Sequence, residues 1–140
     1  MSRSIPRRDR IPAGRIALKR AYLPAAATDG ARVLVDRLWP RGVRKAEAAI
    51  DLWLKDIAPS PGLRTWFDHD PARWPEFRRR YAAELHKHAG GIARLRAMAR
   101  RGKLTFVFAA RDVMRNDAVV LRNVVLGRQQ PRTANHRDTE

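Results

Sequence analysis

Residues 103–110 read KLTFVFAA, an unbroken apolar run rich in β-branched and aromatic side chains. A strand with one wet face alternates polar and apolar residues, so a run without alternation predicts a strand buried on both faces of a largely parallel sheet. Working outward, residues 31–38 (ARVLVDRL) have a β-branched apolar centre and run into Trp39-Pro40-Arg41-Gly42, where Pro and Gly force a loop. Residues 15–22 alternate well enough for a short strand. The turn-bearing PAAATDG of residues 24–30 joins it to the next, a connection long enough to leave its direction open.

Helical spacing fills the intervening sequence. From Glu47 the pattern turns helical through Trp53 and Leu54, breaks at Ala58-Pro59-Ser60-Pro61, and resumes over residues 62–67. Asp70-Pro71 is a helix start, an N-cap followed by Pro where no N–H is needed. Trp74, Phe77, Tyr81 and Leu85 follow at steps of three and four, one aromatic stripe predicted to face the core on a helix to about Lys87. After Gly90-Gly91 a second helix carries Ile92, Leu95 and Met98 on one face and stops at Gly102. A last amphipathic helix spans about residues 116–126. Helices between buried strands predict an α/β fold, a small, mostly parallel sheet of about three strands covered by helices.

With 140 residues the chain fits one domain that buries roughly 68–70% of its unfolded surface. Residues 15–126 are expected to form that domain, with residues 1–14 a flexible basic arm and residues 127–140 a flexible tail. Without cysteine there are no disulfides, thiolate metal sites or thiol nucleophiles. No apolar run approaches the roughly 18 residues of a membrane span, and the basic N-terminus lacks the apolar stretch of a secretory signal, so a cytoplasmic protein with no membrane partner is expected.

The net charge is +16. The arm and tail contribute +3 and +1, leaving +12 on residues 15–126. Ten Lys and Arg against Glu76 and Glu84 make residues 71–103 the densest block. Such a field favours phosphate-rich partners, although a coding bias toward high G+C also produces arginine-rich surfaces.

Ligands of open α/β sheets bind beyond the carboxyl ends of the strands, which directs attention to the residues after each apolar run. Strand two delivers Asp36, Arg37, Trp39, Arg41 and Gly42; the long apolar strand delivers Arg111 and Asp112, with Asn116 starting the last helix. Guanidinium groups grip phosphate or carboxylate bidentately and a helix N-terminus favours anions, so these residues form a candidate anion site. Structural ion pairs tying the loops together are the competing reading. Asp36 and Asp112 are the only acids placed for a paired-carboxylate hydrolase, a disfavoured option. His69 before Asp70 suits a base or, more ordinarily, a loop anchor. His86 and His88 at a helix end make no metal site, and no cofactor is implied: the nucleophile elbow, Walker and dinucleotide glycine motifs are missing. A small anionic ligand is the first expectation. The alternative is a nucleic-acid or regulatory module using Arg73, Arg78, Arg79, Arg80, Arg94, Arg96, Arg100 and Arg101, although no helix-turn-helix spacing or stacking platform accompanies them.

Several stretches resemble the YeaO-like family of bacterial proteins, a family catalogued as a domain of unknown function. They are residues 34–42 (LVDRLWPRG), Trp53-Leu54-Lys55, Ala58-Pro59-Ser60, residues 63–67 (LRTWF), His69-Asp70-Pro71 with Trp74 and Phe77, Ala109-Ala110-Arg111-Asp112, and residues 116–121. The resemblance covers about residues 15–126 and implies a compact α/β fold in a bacterial cytoplasm, without supplying a reaction. Two departures stand out. The family usually reads His-Asn at the start of the last helix where this chain has Arg115-Asn116, and an aromatic hydroxyl often precedes the Ala-Ala pair where this chain has Phe108. Both remove titratable groups near the strand end and shift the expectation from catalysis toward binding.

Overall fold

Side chains along a strand point alternately to opposite faces, and three strands of this protein use that period to build two unlike surfaces. The computed structural model describes residues 10–128. Its sheet contains β1 (Ile16–Arg20), β2 (Ala31–Leu34), β3 (Leu52–Trp53) and β4 (Leu104–Phe108), all parallel, in the order β1-β4-β2-β3. Every residue of β4 is buried, as an interior strand covered on both faces requires. Ile16 and Ala31 both pair with Leu104, so β1, β2 and β4 start level and their carboxyl ends emerge at one edge. This fixes the direction of the first strand, which the sequence left open.

One face of the sheet carries Ile16, Val33, Val35, Leu104, Phe106 and Phe108 into the main core. Four helices cover it: α2 (Pro61–Phe67), α3 (Trp74–Leu85), α4 (Ala89–Arg101) and α5 (Asp117–Val125). The expected aromatic stripe is there, with Phe77, Tyr81 and Leu85 buried and Phe67 stacked on Phe77 at 4.3 Å between centroids. Asp70 accepts from the Ala72 N–H at 2.9 Å and caps a 3-10 turn that runs straight into α3. Gly90-Gly91 does not break the chain between helices. A 3-10 turn over His86–His88 does, and both glycines lie inside the first turn of α4.

The opposite face is small. Ala21, Leu34 and Val107 pack under Trp39, Ile50 and Trp53, whose loop includes the single-turn α1 (Lys45–Ala48). Here the sequence reading needs correction: Leu52 and Trp53 belong to β3, not to a helix, and bring the strand count to four. The Asp51 N–H donates to the Arg32 carbonyl and the Leu54 N–H to the Leu34 carbonyl, so backbone pairing with β2 fixes the segment. A strand of two residues offers no period to read.

Residues 1–9 of the basic arm and residues 129–140 of the tail lie outside the described residues. The rest of the arm is attached: Ala13–Arg15 form a 3-10 turn, and the Arg122 guanidinium donates to the Ala13 and Ile16 carbonyls at 2.7 and 2.6 Å. Among the described residues no helix is long and apolar enough to cross a membrane.

Candidate functional site at the carboxyl edge of the sheet

The loops after β1, β2 and β4 leave the carboxyl edge, and side chains fasten each to another. Asp36, just past β2, accepts the Ala109 N–H at 2.9 Å, joining the ends of β2 and β4. Arg20, closing β1, donates to the Ala109 and Ala110 carbonyls at 3.1 and 2.9 Å and stacks over Tyr22. The Tyr22 hydroxyl donates to the Arg41 carbonyl at 3.2 Å, joining the β1 loop to the β2 loop.

Within the β2 loop, the Val43 N–H donates to the Pro40 carbonyl across Arg41 and Gly42. Gly42 has φ +80°, the value that the third position of a type II turn demands and that glycine adopts without strain. The Trp39 indole N–H closes the same turn on the Val43 carbonyl at 2.7 Å and packs edge-on against Trp53. Trp39 and Gly42 thus hold Arg41 at the exposed tip of a doubly closed turn. The Arg41 guanidinium has no hydrogen bond or ion pair among the described residues.

The β4 loop is braced in the same manner. The Asp112 carboxylate accepts the Met114 and Arg115 N–H groups at 3.0 and 3.1 Å and the Arg115 guanidinium at 3.2 Å. The Met114 N–H foremost, with help from Arg115, holds its pKa below the usual carboxylate value. Asn116 is buried and caps α5, accepting from the Val119 N–H at 3.2 Å and donating to the Asp112 carbonyl at 2.9 Å. Arg111, upstream of this knot, is exposed and without a partner among the described residues.

The sequence-predicted residues therefore separate by role. Asp36, Trp39, Gly42, Asp112 and Asn116 are the frame of the edge, and Arg41 and Arg111 are its unspent cations. Arg37 turns inward: it reaches the Ala58 and Pro59 carbonyls at 3.4 Å, and its buried Nε has no partner. His69 sits exposed at φ +55° beyond α2, its ring against Phe67, and no hydrogen bond links it to the edge.

The carboxylate that meets Asp36 is Asp117, not Asp112. Asp117 is partly exposed as a residue, but its carboxyl lies among packed atoms at the first turn of α5 and is hydrogen-bonded to Asp36. Burial first, then the neighbouring Asp36 charge, push the Asp117 carboxyl well above the ordinary range. The fully buried Tyr81 lies within the field of this pair and donates its hydroxyl to the Ile57 carbonyl at 2.7 Å. Sequence reasoning missed Asp117, Arg20 and Tyr22. Asp117 was signalled by its place beside the Asn116 cap at a helix start next to a strand end. Arg20 and Tyr22 became readable only once the direction of β1 was fixed.

The basic helical block is largely spent on itself. Arg79 and Arg80 both pair with Glu76. Arg96 caps α5 through the Val124 and Val125 carbonyls, and Arg73 binds the Trp66 carbonyl and stacks on its ring. Arg94, Arg100 and Arg101 stay exposed.

Sequence comparison with known proteins identifies the family. The family model DUF488-N3i, described as the inactive DUF488-N3 subclade, matches residues 15–139. An uncharacterized protein of Mycobacterium tuberculosis is 45% identical over 114 residues, spanning 81% of this chain and 96% of that protein. The uncharacterized protein YeaO of Escherichia coli is 43% identical over 106 residues, 76% of this chain and 92% of YeaO. No solved structure matches the chain significantly. The reach of the family model and the identity to both relatives make this chain a member of the YeaO-like DUF488 family.

Proposed function

We propose that the protein is a binding module that takes a small phosphate- or carboxylate-bearing ligand at the carboxyl edge of its sheet, with Arg41 and Arg111 as the clamping cations. The supporting observation is the contrast between these two guanidinium groups and their surroundings. Among the described residues each stands unpaired on a loop leaving one of two adjacent strands, while Asp36 and Asp112 are engaged by backbone N–H groups and Asn116 by its helix. Loops held this firmly lose little freedom when an anion binds, which is the advantage of preorganisation. Binding without turnover fits the description of the matching family as inactive, and Arg115 and Phe108 where the resemblance leads one to expect titratable groups. Nucleic-acid binding through the helical block is disfavoured because Arg73, Arg79, Arg80 and Arg96 already have partners.

Thermal shift and calorimetric titration against inorganic phosphate, citrate, nucleoside monophosphates and sugar phosphates test the reading. A ligand at a hundredfold excess over its Kd stabilises the fold by ~2.7 kcal/mol. Arg41→Gln and Arg111→Gln should each weaken that response, and together abolish it. Binding that survives in the double variant, or a panel with no response at all, rejects the site. Steeply salt-dependent DNA binding lost in an Arg100→Gln, Arg101→Gln variant would transfer the function to α4.

A further inference from the structure

Among the described residues, the large apolar side chains most exposed to water are Tyr22, Leu23, Leu38, Val113 and Met114, with Met114 at 70% and Leu38 at 56%. Scattered exposed apolar residues are ordinary and need no explanation. These are not scattered. Tyr22 and Leu23 follow β1, Leu38 follows β2, and Val113 and Met114 follow β4, so all five stand on three of the loops of the carboxyl edge. The bonds from Arg20 to Ala109 and Ala110, from Tyr22 to Arg41 and between Asp36 and Ala109 hold those loops side by side. The same loops carry Arg41 and Arg111, whose guanidinium groups have no partner among the described residues, and Asp112, next to Arg111, is already engaged by Arg115 and two N–H groups. Apolar side chains interspersed with unspent positive charge mark an interaction surface rather than a solvated edge.

From this we infer that the carboxyl edge docks an acidic, amphipathic segment of a partner protein, its carboxylates on Arg41 and Arg111 and its apolar side chains on Leu38, Val113 and Met114. Charge complementarity selects that occupant. A second copy of the chain would bring like-charged guanidinium groups together, and a polyanion without apolar groups would leave the exposed side chains in water. The inference rests on the proposed anion site for its polar half, while its apolar half stands on separate residues.

The test uses the full chain and fluorescence anisotropy at physiological salt. Four probes are compared: a short helical peptide of Glu and Leu with one apolar face, an oligo-glutamate of equal charge, phosphatidylglycerol vesicles and a duplex oligonucleotide. The peptide should bind about tenfold or more tightly than oligo-glutamate, since only it buries apolar surface. Leu38→Ser and Met114→Ser, both solvent-exposed positions, should remove that advantage and leave oligo-glutamate binding unchanged. Equal binding of the two peptides overturns the inference, as does a preference for vesicles or duplex that depends on Leu38 and Met114. Arginine dependence without apolar dependence overturns the docking surface alone. Apolar dependence without any effect of Arg41→Gln or Arg111→Gln overturns the acidic partner and the anion site together.

Discussion

Asp29, before β2, and Asp117, after β4, lie at opposite ends of the sheet, and their carboxyls are displaced in opposite directions. Burial by itself would push Asp29 up, but the Ala26 N–H and hydrogen bonds from Lys19 and Arg32 outweigh it and hold the group below its ordinary value. Its salt bridge to the nearly inaccessible Arg32 is 2.7 Å long, and Thr105 donates to the Asp29 carbonyl. Gly30, at φ +66°, lets this turn lie against the Lys103 carbonyl, which a Cβ would approach to 2.2 Å. For Asp117 the Ala118 N–H at 3.0 Å does not outweigh burial and the neighbouring Asp36 carboxylate, and the group is pushed up. Charge at the amino end is matched and enclosed, whereas at the carboxyl edge Asp117 meets Asp36 and Arg41 and Arg111 are left facing water. The same residue types thus serve cohesion at one end and remain available at the other, because a buried charge persists only with partners while an exposed one needs none.

Removing a partner from the enclosed end should give the largest effect. Asp29→Ala leaves the Arg32 charge uncompensated in the interior, and chemical denaturation should show a loss of ~3–5 kcal/mol. Wild-type stability from Asp29 is present above the ordinary carboxylate pKa and lost as pH falls through the lowered folded value. A variant as stable as wild type at neutral pH would erase the contrast between the two ends.

At the other end the sign reverses. A carboxyl whose folded pKa is raised contributes fully below the unfolded value and loses that contribution as pH rises through the folded one. Asp117→Asn should therefore be close to neutral at acid pH and raise Tm progressively above the ordinary carboxylate range, where wild type must either keep Asp117 protonated or set its charge beside that of Asp36. Thermal melts of both proteins across pH 3–9, roughly the carboxylate-to-alkaline span, measure this. Parallel Tm profiles would show that the Asp117 carboxyl is not displaced.

The smallest change in stability belongs to the arginines at the edge. Arg41→Gln combined with Arg111→Gln should alter unfolding free energy by no more than ~0.5 kcal/mol, because neither guanidinium has a partner to lose among the described residues. A large loss would mean that both are structural, and the edge would resemble the amino end after all.

Much of the architecture was legible because it is written in local periodicities. The unalternating residues 103–110 announced an interior strand, and the step of three and four from Trp74 to Leu85 announced a helix with a buried stripe. Asp70-Pro71 and Asn116 marked helix starts through the needs of unpaired N–H groups. The candidate site was legible in part: the loops were right in kind, but the roles within them were not separable. Nothing local distinguishes Arg37, whose guanidinium turns toward the Ala58 and Pro59 carbonyls, from Arg41, four residues on, at the tip of a turn.

The sequence by itself determined the order of three of the four strands and of the longer helices, the mostly parallel α/β class and the concentration of arginine after the strands, since each follows from composition and spacing over a few residues. Only the tertiary structure decided the direction of β1, the pairing that makes a strand of Leu52 and Trp53, the meeting of Asp36 with Asp117, and which cations stay free. Those outcomes depend on contacts between residues far apart in the chain, such as the 73 positions separating Asp36 from the Ala109 N–H, and pairings at that range leave no periodic trace in a single sequence.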